Sequence, residues 1–267
     1  MRLNRAVFCF VLPCLCAGFA MADTLSVYEG FNYLSGASIN GQNGGLGWSG
    51  SWTTPGGLDA TIASGSLGFG SLSVIGGSLT TAGSQPANQG SSVATWNRSF
   101  GTNVGADNTT VYLSYLLRPD AGAGFYGGLN FGGVFIGLSG NQSFYGLEGA
   151  GNDISLSSVA ASAGQAVLFV LRVDFLAGND TLSLYVNPGS SQPALASVVK
   201  TNLDLGIVSG LTVNNYGGFT TDEIRIGDSF AAVTPADLAA VPEPAYGFGV
   251  MLISLALISG RINRSRG

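Results

Sequence analysis

The side chains that most enzymes use for nucleophilic and acid–base chemistry are scarce in this sequence. Histidine is absent from all 267 residues, and the three cysteines, Cys9, Cys14 and Cys16, lie near the N-terminus. Neither a serine–histidine nor a cysteine–histidine nucleophile can be assembled without an imidazole, and the usual zinc ligands are missing. Acid and base catalysis would therefore depend on carboxylates.

The carboxylates do not form a catalytic pattern. A strand that carries Glu-x-Asp-x-x-Glu places its acids on one face, as in many jelly-roll glycoside hydrolases, and this pattern is absent. Asp222 and Glu223 are adjacent, so on a strand they would project to opposite faces. Arg172 and Asp174 share a face, which favours a surface ion pair. Because glycoside hydrolysis needs two carboxyl groups about 5 to 10 Å apart, we predict no catalytic residue and no enzyme activity.

One turn offers oxygen ligands of the kind that calcium prefers. Asp174 lies near the end of a predicted strand, and Asn179 and Asp180 lie in the turn that follows. Asn and Asp are also favoured in turns for backbone reasons, and no Asp-x-Asp ladder or Glu clamp accompanies them. We expect turn chemistry here, with calcium as the weaker alternative and no other cofactor.

Aromatic side chains are the other candidate binding feature. Trp48 and Trp52, in GWSGSW, would face the same way on an extended strand and could stack on sugar rings. Large aromatic side chains also dominate protein cores, and core packing is the favoured interpretation. Tyr126, Phe144 and Tyr145 lie in glycine-rich segments and are weaker candidates for the same stacking role.

The elements that would position these residues are short strands. In VLFVLRVDF, residues 167–175, apolar residues alternate strictly, and TLSLYV follows after a turn with Gly178 and Asn179. This pattern predicts an antiparallel hairpin. Further strands are predicted over residues 67–75, 93–100, 110–118, 129–138 and 222–227.

The last predicted strand, DEIRIG, leads towards a possible helix. Ile224 and Ile226 should face the core while Glu223 and Arg225 face outwards. A short helix is predicted over residues 234–241, in which Thr234 could be the cap.

Composition and element order predict one all-β domain over residues 23–235. The 42 glycines supply many turns, and no βαβ alternation occurs, so the predicted fold is an antiparallel jelly-roll β-sandwich. A parallel β-helix is the main alternative, but the sequence lacks the fixed internal repeat that such a fold requires.

Three segments of the predicted domain resemble a known group of proteins. They are VYEGFNYLSGASINGQNGGLGWSGSW, RVDFLAGNDTLSLYVNP and DEIRIGDSFAAVTP. Together they resemble bacterial secreted proteins with a concanavalin A-like, laminin-G-like jelly-roll body. The resemblance implies a fold and transfers no catalytic residues.

The first 22 residues have the layout of a secretory signal peptide. Two arginines precede an apolar stretch, and the small-residue positions Ala20 and Ala22 would allow cleavage before Asp23. A short buried or membrane helix is the alternative. Cleavage would remove all three cysteines, so the exported chain would have no disulfide.

The C-terminal segment also has three parts. After a linker over residues 236–241 come Pro242, Glu243 and Pro244, then an apolar segment over residues 245–260, then a basic end over residues 261–267. As a transmembrane helix, the apolar segment would reach about 24 Å, short of a hydrocarbon core of about 30 Å. The basic end carries three cations that resist translocation, Arg261, Arg264 and Arg266.

The whole segment over residues 242–267 resembles the PEP-CTERM sorting signal in motif, order and distance from the terminus. The resemblance implies recognition of Pro242, Glu243 and Pro244 by an exosortase-like processing enzyme, after a transient hold at the inner membrane through the apolar segment and the arginines. An ordinary membrane anchor is the alternative. The implied destination is the cell surface or extracellular matrix.

Charge limits the partners of the body. Residues 23–241 contain five basic and fourteen acidic residues, a net charge of −9. Nucleic acid and anionic membrane surfaces are poor partners for such a chain. The sequence predicts an exported, non-enzymatic carbohydrate-binding or structural module; the alternative is a polysaccharide-active glycoside hydrolase or lyase of the same fold.

Overall fold

The structure is a computed structural model that describes residues 23–55, 60–70, 78–80 and 94–235. These residues form thirteen strands and one short helix. The elements in chain order are β1 (Leu25–Glu29), β2 (Trp48–Thr53), β3 (Thr61–Ala63), β4 (Ser78–Thr80), β5 (Ala94–Val104), β6 (Thr109–Phe131), β7 (Val134–Leu138), β8 (Phe144–Gly149), β9 (Asp153–Ala160), β10 (Val167–Phe175), β11 (Asp180–Val186), β12 (Val198–Leu203), β13 (Val208–Gly227) and α1 (Phe230–Val233).

Two long strands, β6 and β13, pair with each other and run through both layers of the molecule. In the first sheet the order is β12–β11–β10–β6–β13–β1, and in the second it is β9–β8–β7–β6–β13–β5–β2. The short pair β3–β4 adds to β13 between these regions. All pairings are antiparallel, so the architecture is an all-β antiparallel sandwich consistent with a jelly roll.

The bend between the sheets follows from the sequence of the two shared strands. Pro119 has no amide hydrogen for the ladder, and it is paired with Phe219 where the register between β6 and β13 shifts. A second shift lies between Tyr216 and Gly217. Proline and glycine at these points let both strands turn from one layer into the other without losing their partner.

The main core fills the space between the two sheets. Alternate residues of every long strand point into it, including Leu113, Tyr115 and Leu117 of β6, Phe169, Leu171 and Val173 of β10, Leu129 and Phe131 of β6, and Tyr145 and Leu147 of β8. Tyr115 and Phe169 stack with their ring centroids 4.9 Å apart. Strict period-two patterning therefore produces one continuous apolar layer.

A smaller apolar cluster covers part of the outer face of the first sheet. Leu116, Val170 and Tyr185 lie on this face beneath Phe230 and Val233 of α1. The C-terminal end of the helix is held to β6, because the Ser114 hydroxyl donates to the Val233 carbonyl at 2.6 Å. Both faces of the first sheet are thus partly buried.

Several sequence predictions agree with these elements. The hairpin of β10 and β11 is confirmed, with Val173 opposite Leu182. Ile224 and Ile226 do lie in the core. The strand predicted over residues 129–138 is interrupted by a turn at Gly132 and Gly133 that separates β6 from β7.

Other predictions need correction. Glu223 and Arg225 do not face solvent: both are buried, where the Tyr28 hydroxyl of β1 donates to Glu223 and the Arg225 guanidinium lies over the Tyr28 ring. Thr234, predicted to cap the start of a helix, is the C-cap of α1, whose N-cap is Ser229. The helix predicted over residues 234–241 lies outside the described residues beyond residue 235. Residues 67–70 are not a strand.

The remaining predicted elements lie outside the described residues. These are the rest of the strand predicted over residues 67–75, the signal helix over residues 1–22 and the transmembrane helix over residues 245–260. Within the residues that the structure describes, no helix is long and apolar enough to cross a membrane.

Candidate functional site

The outward side of the second sheet, here called the open face, carries a row of polar side chains. Asn97, Thr212 and Asn130 are register partners on β5, β13 and β6. The row continues through Phe135 of β7 to Glu148 of β8. These residues alternate with core residues such as Trp96, Val213 and Leu129, so their side chains project away from the core.

A second row on the open face has no side chains in its centre. Gly128, Gly137 and Gly146 are register partners on β6, β7 and β8. Asn214 continues the row on β13, and Leu156 continues it on β9. Because neighbouring strands lie about 4.8 Å apart, the three glycines span about 10 Å of sheet surface. All three glycines of this glycine row are nevertheless buried, because the side chain of Tyr126 lies across them.

Tyr126 crosses the glycine row. Its hydroxyl donates to Oε2 of Glu148 in a short hydrogen bond, and its ring lies with its centroid 4.7 Å from that of Phe135. A side chain at Gly137 would lie beneath this path. Burial, together with the hydrogen bond to Glu148, raises the pKa of Tyr126, so the phenol stays protonated and acts as a donor.

An apolar edge borders the glycine row on the other side. Phe144 is 40% exposed and Leu156 is 39% exposed. Both lie on the outward side of β8 and β9, since the intervening Tyr145 points into the core with no exposed surface. Of the three weaker stacking candidates, Phe144 and Tyr126 are therefore on the open face, and Tyr145 is a core residue.

The polar row ends in a groove of about 330 Å³ near the turn between β6 and β7. Its lining includes Asn97, Asn130, Thr212, Ser209, Gly132 and Gly133. Amides and hydroxyls both donate and accept hydrogen bonds. The open face therefore offers two features that a ligand rich in hydroxyls and C–H groups requires, namely polar partners and an apolar edge.

The two tryptophans proposed for stacking pack inside the molecule. Trp52 has no exposed surface, and its Nε1 donates to Glu29 at 2.9 Å. Trp48 is half-buried, lies 5.6 Å from the Trp52 ring and donates from Nε1 to the Tyr28 carbonyl at 2.9 Å. A bulge at Gly50 separates them along β2. Core packing accounts for Trp52, whose ring no sugar can reach.

These indoles surround a buried ion pair. Nη1 of Arg98 lies 2.6 Å from Oε2 of Glu29, and both side chains are 1% exposed. The guanidinium also donates to the Gly50 carbonyl and to Asn43, and it lies over the Trp48 ring at 4.9 Å. Burial raises the pKa of Glu29, while hydrogen bonds and the Arg98 charge oppose the rise. The cluster holds the N-terminal segment against β5.

Two of the three calcium candidates, Asp174 and Asp180, make hydrogen bonds or an ion pair within the protein. Asp180 is buried and accepts from the amides of Leu176 at 2.9 Å and Leu205 at 2.8 Å. Asp174 accepts from Arg172 at 2.8 Å, the ion pair predicted from their spacing. Asn179 is exposed. No group of three or more potential metal-ligating residues occurs in the described residues.

Asp222 and Glu223, predicted to face opposite ways, are both buried on one side of β13. The register shift between Asp222 and Arg225, with Glu223 in the left-handed region at φ 55°, lets both turn towards that side. Asp222 accepts from the Leu67 amide at 2.8 Å, and Glu223 pairs with Arg225. Burial, and then the Glu223 charge, raises the pKa of Asp222 well above its usual range. A substrate cannot reach either carboxylate in this arrangement.

The residues proposed for sorting lie outside the described part of the chain. They are Ala20 and Ala22 of the cleavage site, Pro242, Glu243 and Pro244 of the motif, and Arg261, Arg264 and Arg266 of the basic end.

Comparison with solved structures finds the same fold at low identity. Domain 4 of AbnA, a GH43 extracellular arabinanase from Geobacillus stearothermophilus solved with arabinotriose, is 14% identical; the match covers 81% of this chain and 99% of that one, with a TM-score of 0.50. No protein-family model matches, and no curated protein matches.

Two further matches have lower scores. The endo-β-1,4-glucuronan lyase from Trichoderma reesei is 12% identical, over 80% of this chain and 100% of that one, at a TM-score of 0.45. The carbohydrate recognition domain of Emp46p is 12% identical, over 67% of this chain and 88% of that one, at a TM-score of 0.36.

Proposed function

We propose that the body is a non-enzymatic carbohydrate-binding module whose ligand lies along the open face. The observation that carries the proposal is that one face of the sheet presents both the apolar edge of Phe144 and Leu156 and the polar row. The fold gives further support, because the similar arabinanase domain was solved in complex with arabinotriose.

The open face matches the two surfaces of a sugar ring. The C–H groups of a sugar pack well against an aromatic face, and Phe144 offers one that is 40% exposed. Sugar hydroxyls need partners that donate and accept, which Asn97, Asn130 and Thr212 supply along one line. A chain of sugars could therefore contact both features at once.

The open face favours binding over hydrolysis. Glu148 is the one carboxylate in the two rows of described residues, and its Oε2 accepts from Tyr126. The two-carboxylate mechanism of glycoside hydrolysis requires a second acid within about 5 to 10 Å. The Tyr126–Glu148 pair is also what keeps a polysaccharide-active lyase or hydrolase as the alternative, because a phenol and a carboxylate can transfer protons.

A glycan-binding profile of the purified protein tests the proposal. We expect saturable binding to at least one polysaccharide, and Phe144→Ala should weaken it about tenfold, the loss of one stacking contact. Leu195→Ala is the matched control, because Leu195 is 85% exposed and lies outside the open face. Reducing-end and unsaturated-product assays on the same panel measure turnover. Turnover would replace this proposal by the enzyme, and neither binding nor turnover would indicate a purely structural component.

We further propose that the protein is exported, held at the inner membrane and sorted to the cell surface or matrix by an exosortase-like enzyme. The proposal rests on the resemblance of residues 242–267 to the PEP-CTERM signal. Mass spectrometry of the secreted protein should find no peptide beyond Pro244. Recovery of the intact basic end, residues 261–267, on the secreted protein would contradict it.

A further inference from the structure

Every basic side chain of the body is already paired with a carboxylate. Residues 23–241 contain five such residues, and all of them lie in the described part of the chain. The pairs are Arg98–Glu29 at 2.6 Å, Arg118–Asp120 at 2.6 Å, Arg172–Asp174 at 2.8 Å, Lys200–Asp153 at 2.8 Å and Arg225–Glu223. A negatively charged ligand would have to compete with an internal partner for each of them.

The charged groups of these cations also point away from the open face. Arg98 borders the groove at the end of the polar row, but its side chain is only 1% exposed. Arg98 projects to the core side of β5, where it contacts the indoles of Trp48 and Trp52. Arg172 lies on the outer face of the first sheet, with its guanidinium 6.0 Å from the centroid of the Tyr112 ring. Since the two outer faces of a sandwich point in opposite directions, Arg172 cannot approach a ligand on the second sheet.

The other three cations also lie away from the polar row. Arg118 belongs to the outer face of the first sheet, where it donates to Thr220 at 3.1 Å. Lys200 lies inside the edge of the sandwich and donates to Ser155 at 3.2 Å. Arg225 is 1% exposed on the first sheet. The open face therefore presents neutral side chains and one carboxylate, Glu148.

We infer that the open face selects uncharged polysaccharides and discriminates against polymers that carry carboxylate or sulfate groups. This inference rests on the proposed binding function and adds the ligand class. A uronate placed on the open face beside the polar row would meet Glu148 without a compensating cation, in a body of net charge −9. A neutral sugar meets no such penalty, and its hydroxyls can donate to Oε1 of Glu148, which no donor contacts in the described residues.

Coulomb's law sets the size of the discrimination. Two like charges about 4 Å apart in a water-like environment weaken binding about fivefold, and a more protected site increases the effect. Salt at about 1 M shortens the screening length to about 3 Å and should remove most of the difference. Binding of the neutral polymer should change little with salt.

Affinity electrophoresis or calorimetry on the purified protein provides the test. The probes are a neutral β-glucan, an arabinan and polygalacturonate, each at low and high salt. We expect the neutral polymers to bind at least about fivefold more tightly than the uronate at low salt, and the difference in affinity to be smaller at high salt. Equal or tighter uronate binding at low salt would overturn the inference while leaving carbohydrate binding intact. No binding to any probe would overturn the proposed function and this inference together.

A pair of variants assigns the discrimination to its site. Glu148→Gln removes the charge and keeps the shape, so it should improve uronate binding about fivefold relative to the wild type. Asp107→Asn is the matched control, because it changes the net charge equally from an exposed turn outside the two rows. Equal effects of the two substitutions would show that overall charge, rather than the open face, sets the preference, and would overturn the local assignment.

Discussion

Removal of the Arg98 guanidinium should destabilise the body severely. In Arg98→Met the side chain keeps its apolar length but leaves Glu29 buried without its cation. Arg98 and Glu29 are each 1% exposed and lie 2.6 Å apart, so the remaining charge cannot be solvated. Breaking such a pair costs about 3–5 kcal/mol in free energy of unfolding. Loss of the contacts with Trp48 and Trp52 adds to this cost.

An exposed ion pair of the same chain provides the control. Arg172 and Asp174 lie 2.8 Å apart, but their side chains are 36% and 26% exposed. Arg172→Met should therefore cost about 0–1 kcal/mol. Urea unfolding followed by tryptophan fluorescence gives both free energies. If Arg98→Met lost less than about 1 kcal/mol, the interpretation of the cluster as a buried, desolvated pair would be wrong.

The pH dependence of the same variant supplies a second check. Without Arg98, the pKa of Glu29 rises further, because burial then acts with one less opposing charge. A raised pKa means that the folded state holds the proton more tightly than the unfolded state. Stability is then fully present below the unfolded pKa of about 4.3 and is lost as pH rises through the folded pKa. The deficit of Arg98→Met should be smaller at about pH 4 than at about pH 7. A deficit that grew on acidification would refute this reasoning.

Three further predictions concern the open face and the hairpin. Gly137→Val should lower the midpoint of thermal unfolding and weaken glycan binding, because a Cβ at this position meets the Gly127 carbonyl of β6. Unchanged binding and unchanged stability would contradict the position of the Tyr126 side chain over Gly137. Tyr126→Phe should cost about 0.5–1.5 kcal/mol in urea unfolding, the loss of one hydrogen bond to Glu148. Asp180→Ala should cost about 1–3 kcal/mol in free energy of unfolding, because two backbone amides lose their acceptor. Neither calcium nor EDTA should shift the melting temperature of the wild type, and a rise on adding calcium would support the calcium site instead.

Local alternation was sufficient to predict the best strands. In residues 167–175 every second residue is apolar, and this stretch is β10 without change of boundary. Ile224 and Ile226 were placed in the core for the same reason. Period-two patterning is a local property, and it needs no knowledge of the neighbouring strands.

Properties that depend on distant segments could not be read from the sequence. Glu223 and Arg225 alternate with core residues and look exposed, yet they are buried against Tyr28, which is far away in sequence. The glycine row depends on register between three strands, so Gly128, Gly137 and Gly146 look like ordinary turn glycines until the pairing is known. The alternation of Gly146 and Glu148 with Tyr145 and Leu147 was the available signal that Gly146 and Glu148 lie on the outer face of β8.

The positions where the described chain enters and leaves the sandwich determine how the molecule would be displayed. The Thr24 amide donates to Asp228 at 2.8 Å, and β1 lies beside the last residues of β13. Both ends thus depart from the first sheet, with α1 packed on its outer face. A tether at either end would hold the protein on the side of the first sheet, so the open face would point away from the attachment surface.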